Sequence, residues 1–171
     1  MNDNGKNPIR MQLSTRTINL ILLVCVAAMT AVCAMSICSP VNFDRQRAQR
    51  ETAVKERLVK IRTAQERYRK ATGSYAGRFA QLIDGGFLAD SLQYVPYAEG
   101  QRFRLSATMQ TTRSGRTIPL MECGAEYKTY LRGLNSGLTR RLTEDAEAEG
   151  RYPGLKIGDL TTPNDNDGNW E

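Results

Sequence analysis

The sequence contains no histidine. That removes imidazole general bases, Ser-His and Cys-His nucleophile pairs, and the His-ligated zinc sites of most hydrolases. Aromatic residues make up 7% of the chain, with a single tryptophan, Trp170. Cysteine occurs four times, at Cys25, Cys33, Cys38 and Cys123, and three of these sit in one apolar run. Such spacing is not a disulfide framework. The sequence also lacks a glycine-rich phosphate loop, a nucleophile elbow and a metal-ligand spacing. Cys123 without a histidine is a poor nucleophile. The expectation is a protein that is not an enzyme and needs no organic cofactor.

What is present is one long uncharged run. Ile18 to Cys38, "INLILLVCVAAMTAVCAMSIC", has 21 residues and no charge. At 1.5 Å per residue a helix of that length spans roughly 31 Å, close to the hydrocarbon thickness of a bilayer. It exceeds the roughly 7–15 residues of a signal-peptide core and has no clean A-x-A exit. Ile37 stands before Cys38 where a lipoprotein signal would carry a small residue. The run reads as a transmembrane helix over residues 18–39. The flanks 3–17 and 39–53 hold three basic residues each, so the positive-inside rule gives no orientation.

Beyond the run, charge is divided along the chain. Residues 44–70 carry ten basic and four acidic residues; residues 142–171 carry two basic and eight acidic. A basic helix and an acidic tail attract, within one chain or between copies. Val54, Leu58, Ile61, Ala64 and Tyr68 recur at spacings of 4, 3, 3 and 4, one stripe of an amphipathic helix. Glu51/Lys55, Glu56/Lys60 and Glu66/Lys70 stand in the favoured i,i+4 order for ion pairs along its surface. Gly73 is a natural stop. Residues 40–72 therefore read as a polar-to-amphipathic stalk helix, its near half free and its far half packed on a domain. Arg57 reads as a surface residue. Arg45, Arg47 and Arg50 are candidates for lipid headgroups beside the membrane. With no zinc finger, helix-turn-helix or RNA-binding signature beside them, nucleic acid is not an expected partner.

Residues 73–171 read as a small α+β head. A short helix is expected within Arg78–Gly85 and a strand at Ser91–Tyr97. Gln101–Thr112 alternates, with Phe103, Leu105, Ala107 and Met109 on one face. A turn at Ser114-Gly115 would return the chain through Thr117–Cys123, with Pro119 favouring an edge strand. A second helix is expected over Leu138–Glu149, stopped by Gly150, then a short strand at Leu155–Leu160. Tyr68, Tyr75, Phe79 and Phe87 are expected at the seam of helix and head. The stalk–head packing set is Val54, Leu58, Ile61, Tyr68 and Tyr75. The tail "PNDNDGNWE" reads as an ordered closure over the head, since Pro163 and Gly168 shape a bend and Trp170 carries a large apolar surface.

This layout resembles the type IV pilin-like proteins, in particular the pseudopilins of type II secretion. The likeness rests on one apolar helix with a polar continuation, on Tyr68, Gly73, Tyr75 and Leu82 at the helix exit, and on "NDNDGNWE", Asn164 to Glu171, at the end. It implies a pilin-like α+β fold: a transmembrane helix continuing into a long amphipathic helix packed on a small antiparallel sheet. It implies a single pass through the bacterial inner membrane, with residues 1–17 as a cytoplasmic tail and the head in the periplasm. It implies a structural or assembly role in a secretion or pilus-like envelope machine, with other envelope proteins, the membrane and further copies of the chain as partners. Some pseudopilins bind calcium in a comparable loop, which makes Asp165 and Asp167 candidate ligands; an ordinary Asx-rich turn is the other reading. The chain departs from the family in having no Gly-Phe cleavage point and no acidic residue between Ile18 and Val41. An unprocessed, membrane-anchored relative is therefore expected. Two other roles stay open: a membrane-anchored binding module without a filament role, and a cytoplasm-facing basic anchor for anionic lipid or nucleic acid.

Overall fold

The computed structural model describes residues 15–112 and 115–171, and the backbone alone over 34–40. The expected cytoplasmic tail lies outside the described residues except for its last three, and so does Ser114 of the expected turn. The fold is α+β. The elements are α1 (Thr15–Thr72), α2 (Phe79–Asp84), a 3₁₀ turn (Asp90–Gln93), β1 (Arg104–Thr111), β2 (Thr117–Glu126), α3 (Tyr127–Tyr130), α4 (Ser136–Ala148) and β3 (Gly154–Gly158). By contacts the chain divides into two units, one ending at Asn42 and one running from Phe43 to Glu171.

In the first unit, Thr15–Cys33 is a helical stretch of 19 residues long and apolar enough to cross a membrane, with none of it buried by protein. Leu23, Val26 and Met29 lie bare on its surface. Thr30 turns its hydroxyl back onto the Val26 carbonyl at 2.8 Å, which hides a polar group against the backbone.

The second unit is built around α1 from Phe43 onward. Val54, Leu58 and Ile61 are fully buried, and Phe43 and Ala64 nearly so. They share one core with Leu82, Phe103, Met121, Cys123, Tyr130 and Ile157. The helix thus enters the core at Phe43, and residues 43–53 are not the free near half of a stalk that the sequence suggested. The reason is that polar residues of this stretch have partners on the domain, described below. Gly73 ends the helix at φ 84°, its N–H bonded to the Arg69 carbonyl at 2.8 Å. This is a left-handed cap that glycine adopts without strain.

The sheet has three antiparallel strands in the order β1-β2-β3. β1 pairs with β2 from Arg104↔Gly124 to Thr111↔Thr117, and β2 pairs with β3 from Glu122↔Gly158 to Glu126↔Gly154. Pro119 therefore lies on the central strand, not on an edge strand. It is tolerated because the pairing of β2 with β3 begins only at Glu122, so β2 has β1 as its sole ladder partner at that position. The alternation of β1 also ends early. Phe103 is buried and Leu105 and Ala107 half-buried, while Met109 is 54% exposed because the strand runs past the core.

The expected strand at Ser91–Tyr97 is a correction. Asp90–Gln93 is a 3₁₀ turn, and the segment after it makes a single bridge, Tyr94↔Arg102. Gln93 bonds its own Asp90 at 2.5 Å, which favours the turn. Pro96 has no N–H for a ladder, and Tyr97 and Glu99 adopt φ of 62° and 48°.

Candidate functional site

The basic face of α1 and the tail it holds form the most elaborated polar region among the described residues. The arginines of α1 reach sideways onto the head. Arg50 Nη1 donates to the carbonyls of Tyr130 and Arg132 at 2.9 and 2.7 Å, and its guanidinium lies 4.9 Å from the Tyr97 ring centre. Arg47 pairs with Glu51 at 2.7 Å and lies 5.6 Å from the Tyr127 ring centre. Arg57 donates to the carbonyls of Ser91 and Tyr94. Arg69 donates to the Tyr75 hydroxyl at 2.8 Å. Arg57 is therefore a fastener of the loop before β1, not the plain surface residue its sequence position suggests.

Of the three residues expected at lipid headgroups, Arg47 and Arg50 are half-buried against α3, and Arg45 is exposed. The structure thus places them in two different environments. Glu51 turns back to Arg47 instead of forward to Lys55, and Lys55 lies 5.6 Å from the Trp170 ring centre. A guanidinium held by carbonyls, a carboxylate or an aromatic face forms charge-assisted contacts stronger than neutral ones. This is why an arginine-rich helix folds onto a domain and does not stay fully hydrated.

The tail crosses α1 at Arg62. Arg62 Nη1 pairs with Glu171 at 2.9 Å, approaches Asp167 at 3.8 Å, and donates to the Asn166 carbonyl at 3.4 Å. The hydrogen bond from Arg62 holds the Glu171 carboxyl below the usual glutamate range and raises the Arg62 guanidinium. Backbone pairing completes the closure. Gly158 N–H donates to the Asp167 carbonyl and Asn169 N–H to the Lys156 carbonyl, both at 3.0 Å. Asn166 is buried and donates to the Tyr75 hydroxyl at 2.6 Å, although its backbone φ is 61°. Trp170 packs half-buried on the core. The acidic tail and basic helix therefore meet within one chain.

Most of the expected packing residues lie at the seam. Val54, Leu58 and Ile61 have no exposed surface, Tyr75 is 7% exposed, and Tyr68 is half-buried with its ring edge-on to Phe87 at 5.4 Å. Asp165 and Asp167 both point outward from the tail turn, and Asp167 faces Arg62. Among the described residues no group of three His, Cys, Asp or Glu side chains is placed to hold a metal ion. The Asn164–Asp167 segment is a turn whose Asp167 N–H bonds the Asn164 carbonyl at 2.9 Å.

Gln65 belongs to the seam and was not among the expected residues. It is fully buried one turn beyond Ile61. Its amide donates to the Ala76 carbonyl at 2.8 Å and accepts from the Ala76 N–H at 2.9 Å. The signal was in the spacing: a glutamine stands on the face of Leu58 and Ile61. A polar side chain there requires a partner, and the chain returning after Gly73 supplies it. Cys123 is buried on the central strand, and burial raises its thiol well above the usual range, so it is protonated and unreactive at neutral pH. The Tyr130 hydroxyl is buried with no hydrogen-bond partner among the described residues, and burial pushes it up as well.

Comparison with protein-family models, with curated proteins and with solved structures finds no match to this chain.

Proposed function

We propose that the chain is a single-pass protein of the bacterial inner membrane with a pilin-like head in the periplasm, acting as a structural or assembly component of a secretion or pilus-like envelope machine. One observation carries this reading. A single helix, Thr15–Thr72, is bare and apolar at one end and forms the core of a domain at the other. A stretch that can span a bilayer and a folded domain in one chain are the two parts that such a component needs. The arginine contacts and the docked tail add rigidity, which suits a part that transmits or resists force better than one that turns over a substrate. With no acidic residue from Ile18 to Val41, copies would associate through helix packing and head contacts, not through a buried ion pair in the membrane.

The alternative, a membrane-anchored binding module with no filament role, draws on an open groove of about 480 Å³ between α2 and β1, bordered by Arg78, Asp84, Asp90 and Arg102. Self-association separates the two. Chemical cross-linking in native membranes is expected to give dimers and higher ladders of the full chain, together with other envelope proteins. Monomer alone at native expression would favour the binding module.

A further inference from the structure

We infer that the free edge of β1 is a docking surface for the same edge of a second copy of this chain; this inference rests on the reading in which copies associate, and names the surface. Antiparallel strands turn the backbone groups of alternate residues toward each neighbour. Thr112 N–H bonds the Arg116 carbonyl at 2.8 Å, so the even-numbered residues of β1 bond β2. Leu105, Ala107, Met109 and Thr111 turn their N–H and carbonyl groups the other way. Phe103 shares that direction, and the Gln93 carbonyl accepts its N–H at 2.9 Å. Past Phe103, the outward backbone groups of these four residues have no partner among the described residues. The opposite edge of the sheet is covered. There the tail lies along β3: Gly158 N–H donates to the Asp167 carbonyl, Asn169 N–H donates to the Lys156 carbonyl, and Ile157 bridges Gly168. Edge strands that stay single carry guards such as lysine, proline, a bulge or short length. β1 has eight residues in unbroken register, with no lysine and no proline, and its one charge is Arg104 at its start.

The residue pattern selects a second copy as the occupant. The four outward residues are spaced evenly about Thr108. One antiparallel register, with Thr108 opposite Thr108, therefore pairs all of them: Leu105 with Thr111, and Ala107 with Met109. A slip of two residues leaves an outward residue of each copy without a partner. In this register Met109, which is 54% exposed, lies against the small Ala107 of the other copy, on the face that carries Leu105. On the opposite face Ser106 meets Gln110 and Thr108 meets Thr108, polar against polar, and such cross-strand pairs are what stabilises a ladder. Arg104 stands beyond the paired stretch, so no like charges are opposed. The contact is isologous and closes on itself. It joins the two three-stranded sheets edge to edge, and each outer side ends in β3 and the tail that covers it.

The test uses the full chain in native membranes, with Cys25, Cys33 and Cys38 replaced by alanine and the buried Cys123 retained. Thr108 opposite Thr108 is a non-hydrogen-bonded pair, whose Cα atoms stand about 4.5 Å apart, within disulfide reach. Under mild oxidation Thr108→Cys is therefore expected to give a disulfide dimer. Ser106→Cys and Gln110→Cys are each offset from the same position of the other copy by four residues, about 14 Å along a strand. Each alone is expected to give at least about fivefold less dimer, being outside disulfide reach. Coexpressed, the two are expected to link to each other. Thr108→Lys sets like charges directly opposite each other and is expected to weaken the dimer of the detergent-solubilised chain about tenfold by sedimentation equilibrium. An unchanged Trp170 emission shows that this variant folds. Amine cross-linked dimers in the membrane with no preference for Thr108→Cys overturn the edge pairing and leave self-association standing. So does a dimer that Thr108→Lys does not weaken, and so does Thr108→Cys linked to another protein in place of its own copy. A chain that no reagent links to itself overturns self-association and the edge pairing together.

Discussion

Gln65 joins the two parts of the seam by one side chain. Its amide meets both polar groups of the Ala76 peptide in a fully buried place. Removing the amide while keeping its bulk leaves a donor and an acceptor buried and unpaired, each costing roughly 1–3 kcal/mol. Gln65→Leu is accordingly expected to lower stability by about 2 kcal/mol or more, measured by urea unfolding of the detergent-solubilised chain. A loss under about 0.5 kcal/mol, the usual surface effect, would mean that the loop after Gly73 finds other partners. Tyr130 is the opposite case, a buried hydroxyl with no partner among the described residues. Its ring fills the core beside α1, and packing alone accounts for its place.

At the scale of elements, α1 from Phe43 onward is the axis on which the head is assembled. Truncating Leu58 or Ile61 to alanine is expected to cost about 2–5 kcal/mol, as other core deletions do. Lys60→Ala, on the exposed face, is expected to stay within roughly 0.5 kcal/mol, all three measured by urea unfolding of the detergent-solubilised chain. Equal, small effects at all three would place the stripe toward solvent or a partner. The stripe was legible in the sequence because burial on one helical face imposes a period that survives in the residue order. The lateral contacts of the arginines were not. A guanidinium has reach enough to bond a neighbour on its own helix or a carbonyl more than thirty residues away, as Arg57 does with Tyr94, and spacing cannot tell these apart. The same holds for Ser91–Tyr97. Its apolar residues fit a short strand, but the fate of such a run is set by whether Pro96 and the left-handed residues after it let a second ladder bond form. Helix α4 and the β1–β2 hairpin were readable because Gly150 and Gly115 mark ends of each, while the start of α4 was not: it begins at Ser136, two residues before the expected Leu138, where the Asn135 side chain accepts from the Leu138 N–H. The closure of the tail was readable from Trp170 in kind, while its attachment to Arg62 depends on tertiary geometry.

At the scale of the whole molecule, charge separation along the chain becomes a latch within the domain. The hydrogen bond from Arg62 lowers Glu171 in the folded chain, so the carboxylate favours folding when ionised. A depressed carboxyl contributes its stability above the unfolded value, about 4.3, and loses it as pH falls through the lower folded value. Asp159 is lowered in the same sense, first by the Thr161 hydroxyl, then by the Thr161 N–H and by Lys156. Docking of Trp170 is thus expected to be constant from pH 7 down to about 5 and to loosen in acid below the unfolded carboxyl range. Tryptophan fluorescence reads this directly, since Trp170 is the only reporter, and Glu171→Gln is expected to loosen the tail already at pH 7. Indole emission of a fully hydrated ring at every pH would show that the tail is free.

The central claim is that an apolar helix fixes this head to the far side of a membrane. Impermeant thiol labelling tests it most directly, in a chain whose native cysteines are replaced and whose exposed tail residue carries Asn164→Cys. Asn164 is preferred to Asn166, which is buried against Tyr75. With the chain retained in the membrane pellet after alkaline carbonate, Asn164→Cys is expected to be labelled in intact spheroplasts. Labelling that appears only after lysis, or release of the chain by carbonate, would contradict the account.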